Sequence, residues 1–308
     1  MMILLNPGAA GGTAPDKWRR VWSLLPSAVE PLEVHVLRPG LDLTQLVRSA
    51  VIKGETHIVA AGGDGTVNSV VNAVMQLDPP ARMRVVLGAA GLGSSNDFHK
   101  PFSPGNMIEG IPLRMNFRNA QLRDVGSVQT QHAGVTTVHR FIINASAGIT
   151  AEGNALFNAP GPLIQWLKQH TTPAAILCAA LQALATHRDM PITIEFPGKP
   201  PLSLSLTNLG IVKSPYFSGS LRYDVPPDHD NGRFHVFAAE RMGILERISL
   251  LRALSRGHFK HLPKTYAWHE PAVRISGSFP FPIELDGEVV EATCAEFSIL
   301  AKALRVCI

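Results

Sequence analysis

The residues able to do chemistry in this chain of 308 residues gather in a few short stretches. The apolar run His57-Ile58-Val59-Ala60-Ala61 leads into Gly62-Gly63-Asp64-Gly65-Thr66, after which Val67, Val70, Val71 and Val74 recur at helical spacing. The glycines therefore occupy a strand-to-helix turn. There they let the backbone take positive φ and come close to a ligand, while the amides that open a helix are aimed at an anion. Phosphate is the natural occupant. Thr66 is the expected N-cap, its hydroxyl shared between the helix and a phosphate oxygen. An aspartate in a phosphate cradle needs a cation or a reacting hydroxyl to offset its charge, so Asp64 points to Mg2+ or to catalysis. Without a ligand, the same residues are a glycine-rich turn carrying an exposed carboxylate. Near the other end of the chain, Asp286-Gly287 between apolar stretches is a hairpin signal.

Two common nucleotide chemistries are disfavoured. No Gly-x-x-x-x-Gly-Lys-Ser/Thr occurs, and Gly91-Leu92-Gly93-Ser94-Ser95-Asn96 lacks the third small residue of a dinucleotide fingerprint. Composition narrows the field further. With 45% hydrophobic and 17% charged residues the chain is globular, and its length suits two domains with ordinary cores. The longest apolar run, 173–186, is shorter than the ~20 residues needed to cross a bilayer, and the first residues lack the basic and apolar regions of a signal peptide. Cys178, Cys294 and Cys307 show no paired spacing, which argues for reduced thiols in the cytoplasm and against a zinc site. A net charge of +4 favours anionic partners, but no basic run or aromatic-basic motif calls for nucleic acid.

The elements that must position these residues fall into two textures. Apolar runs at 3–5, 32–37, 57–61 and 84–87 alternate with helical patterns, as in a parallel α/β sheet. From about Val125 onward, strand candidates dominate: 137–144, 191–196, 202–208, 233–239, 267–275, 281–285 and 295–300. Helical patterns interrupt them at 161–169, 173–187 and 243–257. There is no internal repeat and no long linker.

Five motifs in order resemble those of the diacylglycerol kinase and sphingosine kinase family of lipid kinases, whose catalytic fold is shared with NAD kinases. Asn6-Pro7-Gly8-Ala9-Ala10-Gly11-Gly12 is similar to the family's opening loop, and Gly62-Gly63-Asp64-Gly65-Thr66 to its signature. Gly91-Leu92-Gly93-Ser94-Ser95-Asn96-Asp97-Phe98 resembles its Gly-Thr-x-Asn-Asp segment, with Ser94 keeping the hydroxyl. Arg123-Asp124-Val125-Gly126 resembles a strand end in the metal network, and Glu284-Leu285-Asp286-Gly287-Glu288 the segment that carries the base. The resemblance covers nearly the whole chain. It implies a three-layer α/β nucleotide-binding domain over 1–125, a β-sandwich-like lipid or substrate domain over 126–300, and a return of 301–308 onto the first domain.

The implied reaction is transfer of the γ-phosphoryl group of ATP to a lipid hydroxyl, which depends on positioning, charge neutralisation and a carboxylate that takes the proton. Asn6, Gly62, Gly63, Asp64, Gly65, Thr66, Gly93, Ser94 and Asn96 are the implied ATP-binding residues. Asp286 is the implied general base, with Asp64 beside it in the catalytic set. Glu288, on the same side of a strand two residues on, could hold Mg2+ or a water bound to it, and Asp97 and Asp124 would complete the acidic ring, directly or through water. Ser69 stands where many relatives have Glu at the expected N3 position, and Asn231 where they commonly have Asp.

The implied partner is a lipid substrate at a membrane surface, met by peripheral contact without a transmembrane span; a homodimer is compatible with the sequence. The apolar run at 173–184 reads first as buried core and second as a groove wall. Arg252, Arg256, His258, Lys260, His261 and Lys264 read first as a solvated helix end and second as a contact for anionic lipid. A kinase of a soluble hydroxyl such as NAD, and a non-catalytic nucleotide- or lipid-binding protein, are the competing functions.

Overall fold

Residues 2–5 of the chain are Met, Ile, Leu and Leu, with no polar alternate, so a strand made from them must be covered on both faces. The computed structural model, which describes residues 1–25 and 33–308, places this strand inside a parallel sheet. The chain divides into two compact units, one formed by 1–125 with 302–308 and the other by 126–301.

In the first unit, β1 (Met2–Leu5) lies between β2 (Glu33–Val36) and β3 (His57–Gly62), and β3 pairs in parallel with β4 (Val86–Gly91). Leu32, which opens the expected strand 32–37, lies outside the described residues. The alternate residues Ile3, Leu5, Val59 and Ala61 pack under Trp18 and Val21 of α1 (Ala14–Leu24). α2 (Leu43–Ile52) is capped by the Asp42 side chain, and α3 (Asp64–Met75) buries Val67, Val70, Val71 and Val74 against the sheet. The short α4 (Pro79–Arg84) consumes the start of the expected strand 84–87, so β4 begins later and runs to Gly91. β5 (Ile111–Arg114) adds to β4 in antiparallel fashion.

The second unit is antiparallel. β6 (Gln121–His132), which begins in the first unit, forms a hairpin with β7 (Val135–Phe141), and β8 (Asn144–Gly148) follows after a two-residue break. The expected single strand 137–144 is thus two, because the amides of Ile142 and Ile143 are turned out of the ladder to a side chain described below. Three helices follow: α5 (Ile149–Asn158), α6 (Pro162–His170) and α7 (Thr172–Thr186). The first of these was not expected from the sequence.

β9 (Met190–Glu195) and β8 lie end to end, each flanked by β10 (Leu202–Val212) and β13 (Ala272–Leu285). β10 continues the sheet to β11 (Phe234–Glu240), which leads into α8 (Ile244–Arg256) and pairs with β12 (Thr265–Glu270). The expected strand 267–275 is interrupted at Pro271, which has no N–H to donate to a ladder. The expected strand 281–285 is instead the second half of β13, joined to the first through a register shift between Ser276 and Phe281.

β14 (Glu288–Val306) absorbs the expected strand 295–300 and carries the chain back to the first unit. There Arg305 and Val306 pair in parallel with Val86 and Leu87 of β4, and the Cys307 amide donates to the Leu87 carbonyl. Close by in the same unit, His99 is buried beside Arg114, and among the described residues neither ring nitrogen has a hydrogen-bond partner. Burial, assisted by the Arg114 charge, holds its pKa down at about 3.

The sign follows directly. Between pH 6.5 and about 3 the unfolded chain binds a proton at this ring that the folded chain does not, so stability is lost as pH falls, at about 1.4 kcal/mol per pH unit. Chemical denaturation at about pH 7 and about pH 5 is expected to show the parent losing about 2 kcal/mol more than His99→Gln across that interval. An equal loss in both proteins would show that the ring accepts its proton without unfolding.

Candidate active site

The turn after β3 owes its glycines to contact. A Cβ on Gly62 would lie 2.3 Å from Thr66 Oγ1, so the helix can fold back on the strand only if residue 62 has no side chain. Gly63 is the N-cap, in extended conformation, and Asp64 is the first helical residue. This corrects the expectation for Thr66: it sits in the third helical position, where its amide donates to the Gly63 carbonyl and its hydroxyl accepts from Asn6 Nδ2 at 3.0 Å. Ser69 accordingly falls in the second turn rather than at N3, and its hydroxyl donates to the Gly65 carbonyl.

Asn6, directly after β1, is held from both sides. Its Oδ1 accepts from the Gly8 amide at 3.0 Å and its backbone amide donates to the Ala61 carbonyl. Asparagine and threonine thereby lock the first loop to the second.

A third loop, after β4, closes the arrangement. Gly93 donates its amide to Asn96 Oδ1, and Asn96 Nδ2 donates to the carbonyls of Gly91 and Gly93. Asn96 has φ +50, a conformation that asparagine tolerates better than most residues. The backbones of Gly63 and Gly93 lie against one another, since a Cβ on Gly93 would come within 2.4 Å of the Gly63 Cα. Asp64 fastens the same two loops by accepting the Phe98 amide at 2.9 Å. Ser94 is exposed at the loop tip.

Asn6, residues 62–66 and Gly93, Ser94 and Asn96 are thus brought together on one end of the parallel sheet. The other two acids expected to join the metal network in this unit face inward: Asp97 is ion-paired to Lys100 at 2.7 Å, and Asp124, 1% exposed, accepts the Lys302 amide. One residue without a sequence motif joins the loops. Lys17 of α1 reaches the Leu92 carbonyl with Nζ at 3.4 Å, placing a cation beside the glycine turns. Only its position one helical turn after the Asn6 loop could have marked it.

In the second unit, Asp286 and Gly287 form the two-residue turn joining β13 to β14, both with positive φ, as such hairpins require. The Asp286 side chain is 3% exposed. Its Oδ2 accepts the Ile142 amide at 2.7 Å, and its Oδ1 accepts those of Ile143 and Asn144 at 2.9 Å each. Glu284, two residues earlier, is also buried; it accepts from Ser146 Oγ and from the Gly287 amide. Sequence reasoning gave Glu284 no role, although acids two apart on a strand share a face. Glu288, by contrast, is exposed at the start of β14.

Residues 1–128 match the diacylglycerol kinase catalytic domain. Over 307 residues the chain is 26% identical to the diacylglycerol kinase of Bacillus subtilis, covering 99% of this chain and 94% of that protein. A diacylglycerol kinase from Bacillus anthracis superposes with a TM-score of 0.66 at 17% identity, covering 99% of this chain and 95% of the other. Yeast NADH kinase superposes with a TM-score of 0.51 at 10% identity, covering 99% and 81%.

The fold is the one that yeast NADH kinase shares. Residues 1–128 carry a diacylglycerol kinase catalytic domain, and relatives that cover nearly the whole chain support a diacylglycerol kinase-like, ATP-dependent enzyme that phosphorylates an alcohol group.

The Gly63–Gly93 contact gives a direct test. Gly93→Ala is expected to force the two loops apart and to weaken ATP binding at least tenfold, as read by isothermal titration. Gly105→Ala, whose added methyl would meet nothing closer than 4.0 Å, is expected to leave binding unchanged. Equal affinities in the two variants would show that the loop contact does not shape the nucleotide site.

Proposed function

We propose that this protein transfers the γ-phosphoryl group of ATP to the primary hydroxyl of a diacylglycerol-like lipid. The observation that carries the proposal is the trio of interlocked loops, in which Asn6, Thr66, Asp64 and Asn96 spend their polar atoms holding glycine backbones together. Rigid glycine backbone at a helix N-terminus is a phosphate-binding device. The amide of Gly65 and the hydroxyl of Ser94 are its contacts to the triphosphate, and the Lys17 ammonium supplies a point charge for it.

The ligand set for Mg2+ is assigned from donor chemistry. The carboxylate of Asp64 is a hard oxygen donor suited to Mg2+ and its retained waters, and Asp97 and Asp124 of the same unit support it from buried positions. When bound, Mg2+ neutralises charge on the phosphoryl group in flight. Asp286 takes the proton of the lipid hydroxyl. The three amides that fix its carboxylate set its orientation without a flexible side chain, in keeping with the need for a base placed to within hydrogen-bond reach of its proton.

A lipid kinase must also meet a bilayer. Expected first as core, α7 buries only one side, with Ala175, Ala179, Ala183 and Leu184 inward, while Leu177 is 55% exposed and Leu181 shares its face outward. Leu163 and Trp166 of the neighbouring α6 are exposed as well, with Trp166 at 55%. On α8, Leu245 and Ile248 are exposed, as are Arg252 and Arg256 nearer its end. Apolar side chains that enter the acyl boundary and arginines that meet anionic headgroups form a peripheral membrane contact. No helix among the described residues is long and apolar enough to cross a membrane.

Incubation with labelled ATP, Mg2+ and a panel containing diacylglycerol, a sphingoid base and NAD is expected to label diacylglycerol. Labelling of NAD alone would overturn the lipid assignment. Asp286→Asn is expected to lower kcat by about 10²–10⁴. Because its amide presents N–H groups to backbone donors, it should also lose about 1–3 kcal/mol of stability, measured separately by denaturation. A variant that is destabilised yet turns over at the parental kcat would make Asp286 a structural residue only. Trp166→Ser combined with Leu177→Ser is expected to reduce sedimentation with vesicles containing phosphatidylglycerol while preserving activity on a detergent-dispersed substrate. Undiminished sedimentation would move the membrane contact elsewhere.

A further inference from the structure

Three side chains of the second unit converge where no part of the proposed kinase chemistry lies. His235 of β11 and His269 of β12 are direct partners across an antiparallel pair, so their side chains leave the same face of the sheet. Their rings stack with centroids 4.4 Å apart and an interplanar angle of 13°. Asp228 reaches them from the preceding loop, and one donor atom from each of the three residues lies within 4.8 Å of the others. Asp228 is fixed by its backbone, whose amide donates to the Lys213 carbonyl.

The cluster is more than a chance meeting of exposed polar groups. His235 Nε2 is buried and among the described residues has no hydrogen-bond partner. His269 Nε2 lies 3.0 Å from Asn231 Nδ2, and the same amide nitrogen contacts the Asp228 carboxylate. Asn231 is itself anchored, since its Oδ1 accepts from Lys213 Nζ and from the Arg233 amide. An amide N–H2 can only donate, so the atoms it meets on Asp228 and His269 are both lone-pair donors in the coordination sense.

We infer that Asp228, His235 and His269 form a binding site for a divalent transition-metal ion of the Zn2+ type, distinct from the Mg2+ used in phosphoryl transfer. Two imidazoles and one carboxylate are a borderline ligand set that suits Zn2+, Co2+ or Ni2+ and discriminates against Mg2+, which prefers oxygen donors throughout. A tetrahedral ion with bonds of about 2.0–2.1 Å spaces its ligands by about 3.4 Å, so modest rotation of Asp228 and of the exposed His269 brings the set to bonding distance. Water fills the fourth position. The ion closes the loop that carries Asp228 onto β11 and β12, and thereby braces an edge strand that ends the sheet. The cysteine pattern gave no sign of such a site, because its ligands lie 7 and 34 residues apart along the chain, and only the pairing of β11 with β12 joins them.

The test uses full-length protein freed of any polyhistidine tag and stripped with a chelator. Co2+ added to this protein is expected to bind at one equivalent with the visible absorption of a tetrahedral site, and Zn2+ should displace it and raise the thermal midpoint while equimolar Mg2+ does neither. His269→Ala, at an exposed position, is expected to weaken Co2+ binding at least tenfold, and His235→Gln likewise. His170→Ala, on α6, should bind as the parent does. Absence of a tetrahedral Co2+ spectrum in the parent, or parental affinity in both His269→Ala and His235→Gln, would overturn the assignment. Should either variant unfold, the spectrum of the parent protein still decides the matter.

Discussion

A buried carboxylate fixes the second unit. Asp286 lies almost wholly out of solvent, and a charge so placed is tolerated only where hydrogen bonds replace its water. Three consecutive backbone amides, from Ile142 to Asn144, supply them. Those amides are then unavailable to a β-ladder, so the chain breaks between β7 and β8 at that point and redirects β8 into the slot between β10 and β13. The carboxylate thus joins the tip of the longest hairpin to a corner nearly 150 residues earlier in sequence. Glu284 repeats the device one alternation away, binding Ser146 and the turn amide of Gly287.

The first unit solves a different problem by similar means. Its central strands β1, β3 and β4 are almost entirely apolar and end together, which leaves three loops at one edge with backbone groups to satisfy. Asparagine, threonine and aspartate side chains satisfy them across loops rather than within each loop, and glycine at 62 and 93 permits the approach. The result is a stiff backbone surface that requires little reorganisation when an anion arrives, the condition under which fixed amide dipoles stabilise transferred charge best. Lys17 adds the one element the loops lack, a full positive charge.

Much of this was legible in the residues themselves. The parallel strands of the first unit, the glycine turn and the hairpin at Asp286-Gly287 all follow from local patterns: apolar runs, valines at helical spacing, and a dipeptide that tolerates positive φ. What was not legible involved partners far apart in sequence. The split of 137–144 depends on a carboxylate near residue 286, and the true start of the helix after Gly63 depends on packing against Gly93, so local propensity placed Thr66 and Ser69 too early in the helix. For α7, composition alone could not show that Leu177 and Leu181 face outward, because a helix apolar all round carries no phase.

The sequence by itself determined which residues could serve as phosphate cradle, turn and acid, since those capacities belong to glycine, asparagine and carboxylate side chains wherever they stand. Tertiary structure decided how each was used: Asp97 given to Lys100, Asp124 to the Lys302 amide, Asp286 to three amides, and His235 set opposite His269. The reason is physical. A side chain's chemistry is local, but its partner is chosen by strand register and loop closure, and these are settled only when segments remote in the chain compete for the same buried hydrogen bonds.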